Sequence, residues 1–198
     1  MTTILILEGN TPDMVAGGQM GSGGFVQSFA ALAPEASVKI LNPYARAFSA
    51  HVLEGISGVV FTGAGVAWST DAPEAAPLRH WMEGVLKAGL PIWGSCNGMQ
   101  LAAVVLGGAV GASPNGIEVG VAREVQLTEA GASHAMLTGR SSGFAVPCIH
   151  RDEVLRLPEG AELLAGNAHS PVQAFAYEQG GVRVWATQYH PELSASDI

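Results

Sequence analysis

The sequence predicts an α/β fold in which a mostly parallel central sheet is flanked by helices on both faces. In the first half of the chain, short apolar strand patterns alternate with helical patterns over short connections, as in parallel β-α units. Hydrophobic residues make up 48% of the 198 residues and charged residues only 13%, which suits a sheet buried on both faces. After Ala109 the strand patterns follow one another with few helices between them. We therefore expect an added, partly antiparallel sheet layer in the C-terminal half.

The elements of the first half begin with a strand at Thr3–Leu7, which is too short for a helix and rich in strand-forming residues. The glycine-rich residues 8–24 lack the Gly-Lys-Ser/Thr of a phosphate loop, so we interpret them as a surface loop. Next come a helix at Phe25–Leu32, strands at Ser37–Leu41 and Gly58–Thr62, a helix at Pro73–Ala88, a strand at Pro91–Gly94 and a helix at Asn97–Leu106.

The second half of the chain is dominated by strand patterns. No repeat, charged linker or low-complexity tract marks a boundary along the sequence. A chain of this length suits one domain with a sizeable core, so residues 1–198 are predicted to form a single domain. The predicted strands are Glu118–Thr128, Gly143–His150, Glu162–Leu164, Val172–Tyr177 and Val182–Tyr189.

Charge and hydropathy exclude several classes of function. A net charge of −8 with only nine basic residues argues against a nucleic-acid partner. The longest weakly interrupted apolar stretch, Leu101–Ala112, is too short to span a bilayer. The first residues carry no basic leader, and the two cysteines form no disulfide framework. We therefore expect a cytoplasmic protein that has no membrane partner.

The segment that predicts chemistry runs through Gly94, Ser95, Cys96, Asn97 and Gly98, between an apolar strand and a helix. A Gly-x-nucleophile-x-Gly turn is the geometry of a nucleophile elbow, in which flanking glycines tolerate a strained bend and the central side chain is presented. The helix N-terminus behind it favours a thiolate. The N–H of Asn97 is then available to an oxyanion. The alternative is an inert buried thiol in a glycine-rich turn.

A nucleophilic cysteine needs a base and a group that orients the base. His190-Pro191-Glu192 follows the strand pattern Val182–Tyr189. Residues i and i+2 of an extended segment face the same way, so His190 and Glu192 are predicted to project together. Glu192 can then hold one ring nitrogen while the other faces Cys96. Taken alone, His-Pro-Glu is equally well explained as a turn that ends a strand.

The Gly-x-Cys-x-Gly-x-Gln motif that ends at Gln100, together with the distal His-Pro-Glu at residues 190–192, resembles the class I (triad) glutamine amidotransferases. The similarity is closest to the glutaminase domain of GMP synthase and its stand-alone relatives, and it covers nearly the whole chain. It implies a flavodoxin-like three-layer core. Further motifs in the family's order are Ile4–Leu7, Thr62-Gly63, Leu106-Gly107-Gly108, Gly116-x-Glu118-x-Gly120, His150-x-Asp152-x-Val154 and Trp185-Ala-Thr-Gln188.

The resemblance implies that Cys96 attacks the side-chain amide of glutamine and forms a γ-glutamyl thioester. Ammonia would leave with a proton from His190, and water would then release glutamate. The backbone N–H groups around Gly63 and Ala64 would join that of Asn97 as the oxyanion hole. No cofactor and no metal are implied.

The same resemblance assigns Gln100 to the amino-acid end of the substrate and puts the turn at His150 and Arg151 near the same pocket. This sequence departs from the family at several of these positions. Gly63-Ala64-Gly65 lies where Gly-Gly-Pro or Gly-Ser-Pro is usual, so this loop lacks the stiffness that a proline gives. Asn97 replaces an aromatic residue or leucine, and Arg151 replaces a glycine. The side chain of Arg151 is expected to narrow the site or to bind a carboxylate.

Three functions remain open from the sequence. The first is a glutaminase that delivers ammonia to a separate synthase subunit, because the chain carries no acceptor-activating domain and no nucleotide motif. The second is a stand-alone γ-glutamyl hydrolase of peptides or other amides, which the altered residues Asn97 and Arg151 favour. The third is a non-catalytic binding protein on the same scaffold, against which the intact Cys, His and Glu argue.

Overall fold

The computed structural model describes residues 2–194 and 197. The strands are β1 Thr3–Leu7, β2 Ser37–Leu41, β3 Gly58–Phe61, β4 Ile92–Ser95, β5 Ala109–Ala112, β6 Glu118–Leu127, β7 Phe144–His150, β8 Asp152–Arg156, β9 Glu162–Gly166, β10 Ala174–Gln179 and β11 Val182–Thr187. The α-helices are α1 Pro12–Ala16, α2 Gly23–Leu32, α3 Ala76–Lys87, α4 Asn97–Val105 and α5 Glu129–Ser133. Short 3-10 helices lie at Ala50–Leu53, Pro73–Ala75 and Ala135–Leu137.

Nine of these strands form one mixed sheet in the order β2-β1-β3-β4-β11-β10-β9-β6-β7. The strands from β2 to β11 pair in parallel, and those from β11 to β7 pair antiparallel. The predicted α/β class with a parallel first part and an antiparallel second part is confirmed. The antiparallel strands continue the central sheet, while β5 and β8 pair antiparallel in a separate two-stranded sheet.

Helices α2 and α3 cover opposite faces of the sheet with their apolar residues. In α3 the buried residues Leu78, Trp81, Met82 and Val85 recur at the spacing of one helix face. They pack in the main core with α4 and the sheet. On the opposite face, Phe25 of α2 packs in a smaller cluster with residues of β1 and β3. None of the helices in the described part of the chain is long and apolar enough to cross a membrane.

Four short elements were not predicted, namely α1, α5, β5 and β8. Each has only four or five residues, too few for a periodic pattern to stand out. The predicted helix Pro73–Ala88 is divided, because a 3-10 turn at Pro73–Ala75 precedes α3. The first helix, α1, lies inside the predicted loop, where the side chain of Thr11 caps it by accepting from the N–H of Met14.

Candidate active site

Cys96 lies at the junction where β4 ends at Ser95 and α4 begins at Asn97. Its backbone angles are φ 50° and ψ −104°, a conformation that non-glycine residues rarely adopt. The N–H of Cys96 donates to the carbonyl of Thr187 at 2.7 Å, which fixes the bend against the end of β11. The structure therefore has the strand–elbow–helix geometry that the sequence predicts.

The two flanking glycines are required by close backbone approaches. A Cβ atom on Gly94 would lie 2.7 Å from the carbonyl oxygen of Gly98. A Cβ atom on Gly98 would collide with the carbonyl oxygen of Phe61, on the neighbouring strand β3. Larger residues at either position would push the bend out of place, so these glycines serve the elbow rather than flexibility.

His190 and Glu192 reach the same edge of the sheet as Cys96 because β11 pairs in parallel with β4, with Thr187 opposite Ser95. Nδ1 of His190 lies 2.7 Å from Oε1 of Glu192. The Ser95 hydroxyl lies 3.1 Å from each carboxylate oxygen of Glu192. Sequence reasoning missed Ser95, although its position before the cysteine is a signal that could have drawn attention to it.

Cys96 and His190 are neighbours, and both side chains are almost completely buried. A Cβ atom on Gly63 would lie 2.7 Å from Cε1 of His190 and 3.5 Å from Cβ of Cys96, so Gly63 borders both. In this conformation the sulfur lies 3.5 Å from the carbonyl oxygen of Ile149. Nε2 of His190 is buried and has no hydrogen-bond partner of good geometry within residues 2–194 and 197.

The electrostatics of His190 favour its charged form. Burial lowers the pKa of the imidazole, but interactions with Cys96 and with the Glu192 carboxylate outweigh burial and raise the pKa to about 10. An imidazolium beside the sulfur is the pairing that stabilises a thiolate.

The second cysteine, Cys148, differs from Cys96 in its surroundings. Both thiols are free. Cys148 is fully buried in a core cluster of the antiparallel half. Burial, and next the negative charge of Glu118, raise the pKa of its thiol to about 12. Cys148 is therefore a protonated thiol at neutral pH.

A pocket of about 250 Å³ opens above Cys96. One wall is the loop after β3, and the opposite wall is formed by the segment before β6 and by the end of β7. Of the predicted site residues outside the triad, all but Gly63 line this pocket, and Gly63 lies beside it against His190. The lining residues are Ala64, Gly65, Val66, Trp68, Cys96, Asn97, Gln100, Ile117, Ile149, His150, Arg151 and Asp152.

Gln100 and His150 are held by internal hydrogen bonds. Nε2 of Gln100 donates to the carbonyl oxygen of Asp152 at 2.6 Å and to Oε1 of Gln188 at 3.2 Å. Nε2 of His150 lies 2.8 Å from Oε2 of Glu118. Burial raises the pKa of Glu118, but hydrogen bonds, that from His150 first, outweigh it and lower the pKa. Both predicted residues thus line the pocket as fixed groups.

Arg151 connects the two walls of the pocket. Its Nε and Nη2 atoms donate to the two carboxylate oxygens of Asp152, at 2.8 and 2.9 Å. Its Nη1 atom donates to the carbonyl oxygen of Ala67, in the loop after β3, at 2.8 Å. The guanidinium of Arg151 therefore reaches from one wall to the other and is paired with the carboxylate of the neighbouring Asp152.

The glycine-rich residues 8–24 contact the candidate site next to Glu192. The buried carboxylate of Glu8 accepts from the N–H of Gly21 at 3.0 Å and from the N–H of Ser22 at 2.9 Å. These bonds bring the start of α2 to the triad, where a Cβ atom on Gly24 would lie 2.7 Å from the carbonyl oxygen of Glu192. The predicted surface loop is thus anchored at its end and packs against Glu192.

Comparisons with known proteins show which family the chain resembles. The family model for glutamine amidotransferase class-I matches residues 26–197. A γ-glutamyl-L-1-hydroxyisopropylamide hydrolase of Pseudomonas sp. is 37% identical over 150 residues, which cover 73% of this chain and 50% of that protein. The glutamine-hydrolysing GMP synthase of Aeropyrum pernix is 42% identical over 138 residues, which cover 69% of this chain and 24% of that protein.

Two crystal structures share the fold. A glutamine amidotransferase of Thermotoga maritima superposes with a TM-score of 0.77 at 23% identity, covering 98% of this chain and 78% of that one. A glutamine amidotransferase of Methylobacillus flagellatus has a TM-score of 0.74 at 21% identity, covering 98% and 71%. Against the curated relatives, by contrast, the chain spans about half of the Pseudomonas hydrolase and about a quarter of the GMP synthase.

Proposed function

The chain belongs to the class-I glutamine amidotransferase family, and from this premise we propose that it hydrolyses the side-chain amide of glutamine. Residues 1–198 act as one catalytic domain. Cys96 is the nucleophile, His190 is the general acid and base, and Glu192 holds the imidazole in its orientation. The observation that carries the proposal is that Cys96 and His190 both border Gly63, while Nδ1 of His190 lies 2.7 Å from Oε1 of Glu192.

The reaction proceeds in two steps. The Cys96 thiolate attacks the amide carbon, and the C–N bond breaks as the His190 imidazolium gives its proton to the departing nitrogen, which leaves as ammonia. The product of this step is a γ-glutamyl thioester. A water molecule then gives a proton to the neutral imidazole and attacks the thioester carbonyl, which releases glutamate and returns the thiolate.

The oxyanion of each tetrahedral intermediate is bound by the N–H groups of Asn97 and of the Gly63–Ala64 loop. Asn97 is the first residue of α4, where backbone N–H groups have no intrahelical acceptor. The loop lacks the usual proline, but Oδ1 of Asn10 accepts from the N–H of Gly65 at 2.8 Å. This bond supports the role of the loop, because it fixes the backbone that a proline would otherwise stiffen.

Labelling with an electrophilic analogue of glutamine tests the proposal directly. The protein is incubated with a glutamine analogue that carries a diazoketone in place of the amide, and the adduct is located by mass spectrometry. We expect one adduct on Cys96, none in Cys96→Ala, and an unchanged adduct in the matched control Cys148→Ala. An adduct on Cys148, or none on the native protein, would contradict the assignment. Ammonia and glutamate should also appear in equal amounts from glutamine.

A second candidate is hydrolysis of γ-glutamyl amides other than glutamine by the same triad. The Pseudomonas relative, which is named for such a reaction, favours it, as does Arg151, which reshapes the pocket. Initial rates on glutamine and on γ-glutamyl amides and peptides separate the two candidates. Faster release of ammonia from glutamine supports the first, and faster release of a substituted amine supports the second.

If glutamine is the substrate, we propose that a separate synthase subunit accepts the ammonia. The match to the GMP synthase of A. pernix covers about a quarter of that protein, so most of the synthase has no counterpart in the aligned region. Adding a candidate synthase with its acceptor and nucleotide should raise the rate of glutamine hydrolysis. A rate that does not respond to any such partner would favour an uncoupled hydrolase.

A further inference from the structure

We propose that an apolar shelf at the mouth of the pocket binds the amine half of the substrate, and that this amine carries an alkyl group. The shelf consists of Ile117, Val119, Val121 and Ile149. The inference rests on the second candidate function, the hydrolysis of γ-glutamyl amides other than glutamine by the same three residues, and it specifies the substrate class as γ-glutamyl N-alkylamides. The acyl half of such a substrate is the same as that of glutamine.

The shelf is built by the alternation of β6 and by its register with β7. Ile117, Val119 and Val121 lie two residues apart, and they are 64, 66 and 37% exposed. Val119 pairs across the strands with Ile149, which is 53% exposed. Because successive side chains of a strand point to opposite faces, Val119, Val121 and Ile149 share the outer face, whereas Cys148 points to the core. Ile117 directly precedes β6 and lines the same pocket as Ile149.

The shelf is concentrated beside the pocket. Of the eight large hydrophobic side chains that are exposed in the described part of the chain, four belong to it. Single exposed apolar residues are ordinary, but a contiguous group marks a binding surface. Ile117 and Ile149 also line the pocket that holds Cys96, opposite Val66 and Trp68. The shelf therefore continues the pocket outward as an apolar rim.

The position of β7 assigns the shelf to the amine half. The carbonyl oxygen of Ile149 lies 3.5 Å from the sulfur of Cys96, and the carbonyl oxygen of Pro147 accepts from the N–H of His190 at 2.9 Å. This strand thus runs past both the attacking and the proton-donating group. The departing nitrogen receives its proton from His190, so its substituent extends on the side of β7, along the face that Pro147 and Ile149 share.

Charge favours an alkyl amine over an amino acid as the leaving group. Arg151 and Asp152 line the pocket with opposite charges. The pocket's histidine, His150, is hydrogen-bonded to Glu118. Arg151 and Asp152 form a bidentate ion pair with each other. A leaving amino acid would bring a carboxylate to the rim, where the Arg151 guanidinium is already paired with Asp152. An alkyl group would instead cover the exposed isoleucines, and the burial of this apolar surface would favour binding.

The test measures kcat/KM for glutamine and for the γ-glutamyl methyl, ethyl, propyl and butyl amides, by following glutamate release. We expect kcat/KM to rise about three- to fourfold for each methylene that the shelf covers. The variant Ile117→Ser should lower the ratio of kcat/KM for the butylamide to that for glutamine about tenfold. The matched control is Ile40→Ser, because Ile40 is 55% exposed on β2 at the opposite edge of the sheet.

Two results would contradict the proposal that the shelf binds the amine half of the substrate. One is a kcat/KM that stays level or falls as the alkyl chain grows. The other is that Ile117→Ser and Val119→Ser leave the ratio of kcat/KM for the butylamide to kcat/KM for glutamine unchanged. That result would indicate that the surface contacts a protein partner instead. Hydrolysis of glutamine with either result leaves the proposed function standing. If neither glutamine nor any alkylamide yields glutamate, the proposed function fails and the shelf with it.

Discussion

The Ser95 hydroxyl donates towards the Glu192 carboxylate and lies 3.1 Å from each of its two oxygens. Ser95 is the residue before Cys96, and it is completely buried. The same strand end therefore precedes the proposed nucleophile, Cys96, and holds the carboxylate that is proposed to orient His190. A displacement of this strand end would move both parts of the candidate triad together.

Replacing Ser95 by alanine should disturb the orientation of Glu192 without removing a reacting group. A hydrogen bond to a charged group contributes about 1.5–3 kcal/mol, so we expect kcat to fall about tenfold or more while KM changes little. Steady-state kinetics on the best substrate check this. The matched control is Ser170→Ala, which removes another buried hydroxyl bonded to a carboxylate, that of Glu153. Equal losses of kcat in the two variants would argue against a positioning role for Ser95.

The two cysteines should differ in reactivity towards iodoacetamide near neutral pH. Cys96 borders the pocket and is paired with His190, whereas the Cys148 thiol is buried with a pKa of about 12. We expect Cys96 to be alkylated at least about tenfold faster, because the thiolate is the reactive form. Peptide mapping by mass spectrometry over time gives the two rates. In His190→Ala, alkylation of Cys96 should slow, and equal slow rates in the native protein would indicate an inert thiol.

The pH dependence should report on His190. Its pKa is raised from 6.5 to about 10, so the imidazolium persists at neutral pH and is lost as the pH rises through about 10. The rate of thioester formation, which needs that proton, should fall in the same range. In Glu192→Gln the fall should come at lower pH, because the carboxylate is one of the groups that raise the pKa. Identical pH profiles for the native protein and Glu192→Gln would contradict the effect of the Glu192 carboxylate on the pKa of His190.

The same raised pKa predicts a pH-dependent contribution to stability. The folded state binds the proton of His190 more tightly than the unfolded chain does, so the contribution is complete below about pH 6.5 and is lost as the pH rises through about 10. Urea unfolding at about pH 6 and about pH 10 should show a larger loss of unfolding free energy for the native protein than for Glu192→Gln.

Two adjacent glycines of α2 form an internal control for the packing of Glu192. A Cβ atom on Gly24 would lie 2.7 Å from the Glu192 carbonyl oxygen and 3.0 Å from its Cγ, whereas a Cβ atom on Gly23 would meet open space. We expect Gly24→Ala to lower the free energy of unfolding by about 1–3 kcal/mol and to reduce kcat. Gly23→Ala should be neutral or slightly stabilising. Thermal unfolding and kinetics measure both, and equal behaviour would disprove this contact.

The class of fold and the position of the bend at Cys96 could both be predicted from the amino-acid sequence. Strands β1 and β2 were predicted with their observed bounds, because each is a short local run of strand-forming residues. The bend at Cys96 was also predictable, since flanking glycines and a following helix specify it locally. His190 and Glu192 do approach each other as predicted, but β11 ends at Thr187 and Pro191 and Glu192 form a turn, so the predicted extended segment is wrong.

The groups that are distant along the chain and meet at the candidate site could not be predicted from local sequence patterns. The contacts of Ser95 with Glu192, of Arg151 with Ala67 and of Glu8 with Ser22 depend on strand order, crossovers and loop closure. The apolar rim likewise needs the register of β6 on β7, which no local pattern contains. A sequence records which side chains are available and how they alternate. Burial and pairing across many intervening residues determine which of them share one pocket.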